Sequence, residues 1–160
     1  MRNKKIIIPL TIILLLLAAL LSIIISGYTA INRAENQFAE KNYADAAESY
    51  QLAAQRFPWR EDLWEKTGIA FASSSNFSQA IFYLEKLSAP SAEGLMWLSF
   101  SYQQLGNYPA AIQSIQQAIQ INDLSNFYKI LALLYRHEKD WPSERNALED
   151  QLLRDSSDVY

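Results

Sequence analysis

Residues 61–90 read EDLWEKTGIAFASSSNFSQAIFYLEKLSAP. Leu63, Trp64, Gly68 and Phe71 fall at helical spacing, Ser73-Ser74-Ser75-Asn76 breaks the pattern, and Phe77, Ala80, Ile81, Leu84 and Leu87 resume it until Pro90. Apolar residues three and four apart mark one face of a helix, so the stretch predicts two amphipathic helices joined by a turn. The dipeptide at that turn, Asn76-Phe77, has counterparts at Asn42-Tyr43, Asn107-Tyr108 and Asp140-Trp141, with gaps of 34, 31 and 33 residues along the chain. Self-similarity at such a period is the mark of a solenoid.

The flanking segments follow suit. Ala34 and Phe38 precede the first turn, and Ala46, Ala47, Tyr50, Ala53 and Ala54 form a stripe after it, ending at Phe57-Pro58. In the third hairpin Leu95, Leu98, Tyr102 and Leu105 run to Gly106, where a helix commonly ends in a left-handed residue. Pro109 then opens a helix carrying Ala111, Ile112, Ile115, Ala118 and Ile119. The fourth pairs Tyr128, Leu131, Ala132 and Tyr135 with Leu148 and Leu152. No stretch alternates with period two, so no strand is expected.

These positions resemble the tetratricopeptide repeat (TPR), a helix–turn–helix with the pattern W-x2-L-G-x2-Y, then A-x3-F, then P. Trp64, Gly68, Phe71, Ala80 and Leu84 match in the second hairpin, and Leu98, Tyr102, Ala111 and Ile115 in the third. Leu131, Ala132, Tyr135 and Leu148 match in the fourth, and Ala34, Ala46, Tyr50 and Pro58 in the first. Glu144 departs from the pattern, standing where the fourth hairpin should have its close-packing alanine; this predicts strained packing or an outward tilt of the last helix. The resemblance implies an all-α, right-handed solenoid of four repeats, at about 27–60, 61–91, 92–124 and 125–156, with a tail at 157–160.

Residues 1–26 are of another kind. Arg2, Lys4 and Lys5 precede Ile6–Ile25, a run of twenty residues without a charge. Twenty helical residues rise about 30 Å, the thickness of a bilayer's hydrocarbon core. A cleavable signal peptide has an apolar region of only about 7–15 residues and a small-residue cleavage site, and Tyr28-Thr29-Ala30 is a poor one, so the length favours an uncleaved transmembrane anchor. Positive flanks stay cytoplasmic, which predicts the N-terminus inside and the repeats outside, periplasmic or at the cell surface if bacterial. Ala18, Ser22 and Ser26, continued by Ala30, form a small-residue stripe suited to packing another transmembrane helix. Gly27 alone is expected to separate the span from the first repeat helix, with Tyr28 as an interfacial anchor.

Composition narrows the function. Residues 27–160 hold 11 Lys+Arg against 17 Asp+Glu, which disfavours nucleic acid. There is no cysteine and one histidine, so the usual zinc sets cannot be assembled and no cofactor is expected. His137 reads as a solvated surface residue, no nucleophile–base pair is apparent, and no enzyme is expected.

In proteins of this pattern the concave surface, lined by the first helix of each repeat, holds the partner. The register puts Phe38, Glu65, Ile69, Met96, Phe100, Gln103, Leu133 and Arg136 there, along with Ile31, Glu35, Asp62, Ala72, Glu93 and Lys129. Lys129 and Arg136 are its only cations, so a carboxylate clamp is disfavoured and an apolar or amphipathic partner segment is favoured. Trp97 and Trp59 fall outside the core register and are expected on outer faces as partner or membrane contacts. Leu152 and Leu153 leave an apolar strip at the C-terminal end, for a partner or for further chain to cover. The function expected is a membrane-anchored protein-interaction scaffold, a structural or assembly subunit of a membrane protein complex. The alternatives are a peptide-recruiting chaperone or secretion adaptor, and the anchor segment of a larger enzyme.

Overall fold

The computed structural model describes residues 4–157, with side-chain surroundings for 11–155; residues 1–3 and 158–160, including Arg2 and most of the tail at 157–160, lie outside the described residues. There are eight helices and no strand among the described residues: α1 Lys4–Ala39, α2 Tyr43–Arg56, α3 Glu61–Ser73, α4 Phe77–Leu84, α5 Ala92–Gln104, α6 Tyr108–Ile121, α7 Ser125–His137 and α8 Trp141–Ser157. Each packs chiefly on the next in sequence, and α3 also on α5. That near-neighbour pattern is the physical definition of a solenoid, as against a bundle with one central core.

The recurring dipeptide has a backbone cause. Lys41, Ser75, Gly106 and Lys139, each just before an Asn or Asp of the series, have φ of 64°, 65°, 77° and 60°. The N–H groups of Asn42, Asn76, Asn107 and Asp140 donate to the carbonyls of Gln37, Phe71, Tyr102 and Tyr135 at 2.8–2.9 Å. Those of the left-handed residues donate to Phe38, Ala72, Gln103 and Arg136 at 3.0–3.1 Å. Four helices thus end in the same Schellman motif, which satisfies carbonyls that a helix end leaves unpaired. The Asn or Asp carbonyl then accepts the first bond of the next helix, from Ala46, Ala80, Ala111 or Glu144. Side-chain capping is added only at Asn107 and Asp140, whose Oδ1 atoms accept from Ala110 and Ser143 at 3.3 and 3.2 Å.

Small residues set the helix spacing. Ala30 and Ala34 on α1 meet Ala46, Ala47, Ala53 and Ala54 on α2, all buried. At Gly68 an added Cβ would lie 2.6 Å from Leu84 Cγ on α4. Ser99 stands in place of the pattern's glycine in the third repeat, and its buried hydroxyl donates to the Ala111 carbonyl of α6 at 2.8 Å. Tyr83 is stacked between Trp64 and Phe71, at 5.8 and 5.5 Å between ring centroids.

Three expectations are corrected. Gly27 does not separate two helices: α1 runs through it for 36 residues, and the Phe57 ring occupies the space a Cβ would need. Packing there overrides the weak helix propensity of glycine. Second, α4 ends at Leu84, short of Leu87, and residues 85–91 form a loop that holds Pro90. This short helix is why the gap between the second and third turns is the smallest. Third, Glu144 does not push α8 away. It is buried, Arg136 reaches over to bond its Oε1 at 2.7 Å, and Ala147 beside it remains in the core.

Two predictions follow for the detergent-purified chain, read by thermal or urea unfolding. Ser75→Gly relieves a left-handed serine and should stabilise by up to about 1 kcal/mol, whereas Gly106→Ala should destabilise by about 1–2 kcal/mol. Glu144→Ala restores a small residue and should be neutral or stabilising. Arg136→Met strands a buried carboxylate and should cost about 1–3 kcal/mol.

Candidate functional site

A cleft of about 380 Å³ lies between α1, α3 and α5, lined by Phe38, Tyr43, Ile69, Ala72, Ser73, Ser75, Glu93, Trp97 and Phe100. A smaller hollow of about 180 Å³ adjoins it, sharing Phe38, Ile69 and Glu93 and adding Glu35, Tyr50 and Lys66. Aromatic rings meet edge to face along this surface: Phe38 on Tyr43 at 5.0 Å, Trp97 on Phe100 at 5.8 Å and Phe77 on Phe100 at 5.6 Å. Such rings offer large apolar area with few rotamers to freeze.

The turn aromatics reach the next repeat. Phe77 meets Phe100 on α5, and Tyr108 stacks on His137 at the end of α7, 4.9 Å away. Tyr43 lines the cleft with Ser73 and Ser75 of the second repeat. Trp141, the last of the series, is 59% exposed.

Charges expected in the groove are largely spoken for. Lys66 pairs with Glu35 at 2.5 Å across α1 and α3, and lies 5.7 Å from the Tyr50 ring centre. Burial first, and the Glu35 carboxylate second, raise the Tyr50 hydroxyl well above its ordinary range. Glu65 Oε1 accepts from the Ser91 N–H at 2.7 Å, tying the second repeat to the start of α5, where Gly94 leaves room for it. Arg60 holds the Asp62 carboxyl below the usual carboxylate range, by a hydrogen bond foremost. Glu93, lining both hollows, makes no ion pair among the described residues.

Of the residues named from sequence, Phe38, Ile69 and Phe100 come together in the cleft, with Phe100 still 38% exposed. Met96 is packed against the core, and Gln103 is half-buried. Leu133 is exposed on α7, away from the cleft, and Arg136 is engaged by Glu144. Trp97 is corrected: it lies in the groove, half-buried against Ile69 and Phe100 rather than on an outer face. Its buried Nε1–H has no acceptor among the described residues. Register within one hairpin missed it because α3 of the preceding repeat supplies its neighbours. Tyr43 was missed as a lining residue, although its place in the recurring dipeptide was a usable signal.

The outer sites are separate. Leu152 and Leu153 are each 65% exposed near the end of α8. Arg154 ties that helix back, bonding Asp123 Oδ1 at 2.7 Å and lying 4.1 Å over the Tyr128 ring. In the apolar part of α1, Ala18 and Ser22 are exposed and Ser26 is half-buried, leading directly to buried Ala30 against α2. A hollow of about 460 Å³ lies between the ends of α2 and α4, floored by Trp64 and Tyr83. Their stacking there is inter-helix packing, and Lys86 covers Phe82 at 3.5 Å. No group of three metal-ligating side chains is assembled among the described residues.

No family model and no curated protein matches the chain. Among solved structures it is similar to MamA, at a TM-score of 0.78 and 17% identity over 83% of this chain and 80% of that one. A second MamA crystal structure gives 0.74 and 20%, over 82% and 74%. YrrB, described as a TPR protein with an unusual peptide-binding site, gives 0.68 and 13%, over 79% and 68%. At these identities the likeness is one of fold. With eight helices in four successive pairs among the described residues, the chain has the α-solenoid fold of these tetratricopeptide-repeat structures, headed by a long apolar helix.

Proposed function

We propose that the chain is a membrane-anchored interaction scaffold, a structural or assembly subunit of a membrane complex, which seats an apolar or amphipathic segment of a partner in the cleft between α1, α3 and α5. The observation that carries this is the aromatic cleft of Phe38, Ile69, Trp97 and Phe100, beside which Glu35 and Lys66 pair with each other while Glu93 makes no ion pair among the described residues. Such a site favours an apolar helix or strand with a cation opposite Glu93. YrrB, of similar fold, is described as having a peptide-binding site, which supports peptide binding as one use of this fold.

Anchoring rests on α1. Its segment from Thr11 is long and apolar enough to cross a membrane, and Leu14, Leu15 and Leu16 are exposed in the folded chain. Three cations precede the apolar run, in favour of an inside N-terminus and an extracytoplasmic array. The small-residue stripe at Ala18, Ser22 and Ser26 would bring a partner helix close within the bilayer. A second contact surface, at Leu152 and Leu153, is favoured by their exposure.

The test is capture from native membranes. The full chain purified in mild detergent should carry a stoichiometric partner. Phe100→Ala should weaken retention about 30-fold, the loss of roughly 2 kcal/mol expected of a central aromatic anchor. Leu152→Ala with Leu153→Ala should matter less, with helicity unchanged in both variants. A chain that purifies alone, or a partner indifferent to Phe100, would refute the groove as the scaffold's contact.

A further inference from the structure

We propose that the corner between α2 and α3, Phe57–Arg60, rests on the bilayer surface, with Trp59 inserted at the level of the lipid headgroups. This deepens the reading of α1 as a membrane span and rests on it. Because α2 runs back antiparallel to α1, its C-terminal end returns to the height at which the apolar run stops. The Phe57 ring packs against Gly27, and Tyr28 contacts the same ring at 5.3 Å between centroids. Trp59 then meets Phe57 edge to face at 5.8 Å.

Height along α1 fixes depth. If Ile6–Ile25 fills a hydrocarbon core of about 30 Å, Gly27 and Tyr28 lie about 3–5 Å beyond it, within the interfacial layer. Tryptophan and tyrosine are enriched at that depth because each has an apolar body and a polar tip. Tyr28 and Trp59 are both exposed, Trp59 at 74%. The corner is also rigid, so Trp59 is held outward rather than hanging free. Arg60 N–H donates to the Phe57 carbonyl at 2.9 Å, Trp64 Nε1–H donates to the Pro58 carbonyl at 3.3 Å, and Arg60 pairs with Asp62 at 2.6 Å.

The other two corners on this side of the array, residues 85–91 and 122–124, contain no aromatic residue. Aromatics are thus placed only at the corner that abuts the span. Arg60 is neutralised by Asp62, while Arg56, exposed at the end of α2 beside Gly27, makes no ion pair among the described residues; zwitterionic lipid therefore reads aromatic insertion apart from any attraction of Arg56 to anionic lipid.

The test uses the full chain reconstituted into phosphatidylcholine vesicles, with and without bromine on the acyl chains near the headgroup. Tryptophan fluorescence should be quenched in the brominated vesicles, and Trp59→Phe should lose most of that quenching while floating with vesicles equally well. Trp97 and Trp141 remain as background, and Trp64, bonded to the same corner at Pro58, accounts for the minor quenching that survives Trp59→Phe. Equal quenching in both proteins, or none in a chain that floats, overturns the proposal and leaves the anchor standing. Failure to float overturns the anchor and the proposal together.

Discussion

The architecture depends on the alanine seam between α1 and α2. Ala30 and Ala34 face Ala46, Ala47, Ala53 and Ala54 with almost no exposed surface, which lets the two helix backbones approach closely. The partner in that seam is the same helix that carries the apolar run. The solenoid is therefore not hung from the apolar segment by a linker; its first repeat is made from the same helix. A rod of 36 residues is about 54 Å long, enough to fill a bilayer core and still form a repeat helix. With the apolar run spanning a bilayer as proposed, any tilt of the span would be transmitted to the array, and the groove would present itself at a restricted angle to the membrane.

From that first pair, the rest of the chain is propagation. Each first helix ends in the same Schellman turn, and the turn aromatic passes across to the next repeat. This is a nearest-neighbour structure, in which contacts are local in sequence and the core is a strip instead of a centre. The same local rule explains the groove. First helices align along one side, Phe38, Ile69 and Phe100 project from three successive ones, and Trp97 closes the wall between α3 and α5. Acidic residues that look available in the sequence are consumed in joining repeats, which leaves an aromatic surface with Glu93 as its unpaired acid.

Much of this was legible in the chain. Period, turn residues and small positions all pointed to one fold, and Gly106 announced the backbone conformation that Lys41, Ser75 and Lys139 adopt less comfortably. The misreadings share one cause, which is that contacts between helices leave little trace in local pattern. Gly27 looked like a boundary because glycine weakens helices, yet the ring that explains it lies at Phe57. Glu65 looked like a groove acid, but its partner is the Ser91 backbone. Glu144 looked like a misfit until Arg136 was seen beside it. Trp97 falls outside the core register of its own hairpin, and the α3 residues that line the cleft with it belong to the preceding repeat. Residues twenty-six or more apart decide several of these cases, and helical periodicity does not reach so far.

The central claim is that span and solenoid share one uninterrupted helix. Amide hydrogen exchange on the full chain in lipid measures it directly at Ser26–Ala30. The account predicts slow exchange through Gly27 and Tyr28, comparable with Ala34 in the seam. Rapid exchange confined to those few amides would reveal a hinge between anchor and array, and would contradict it.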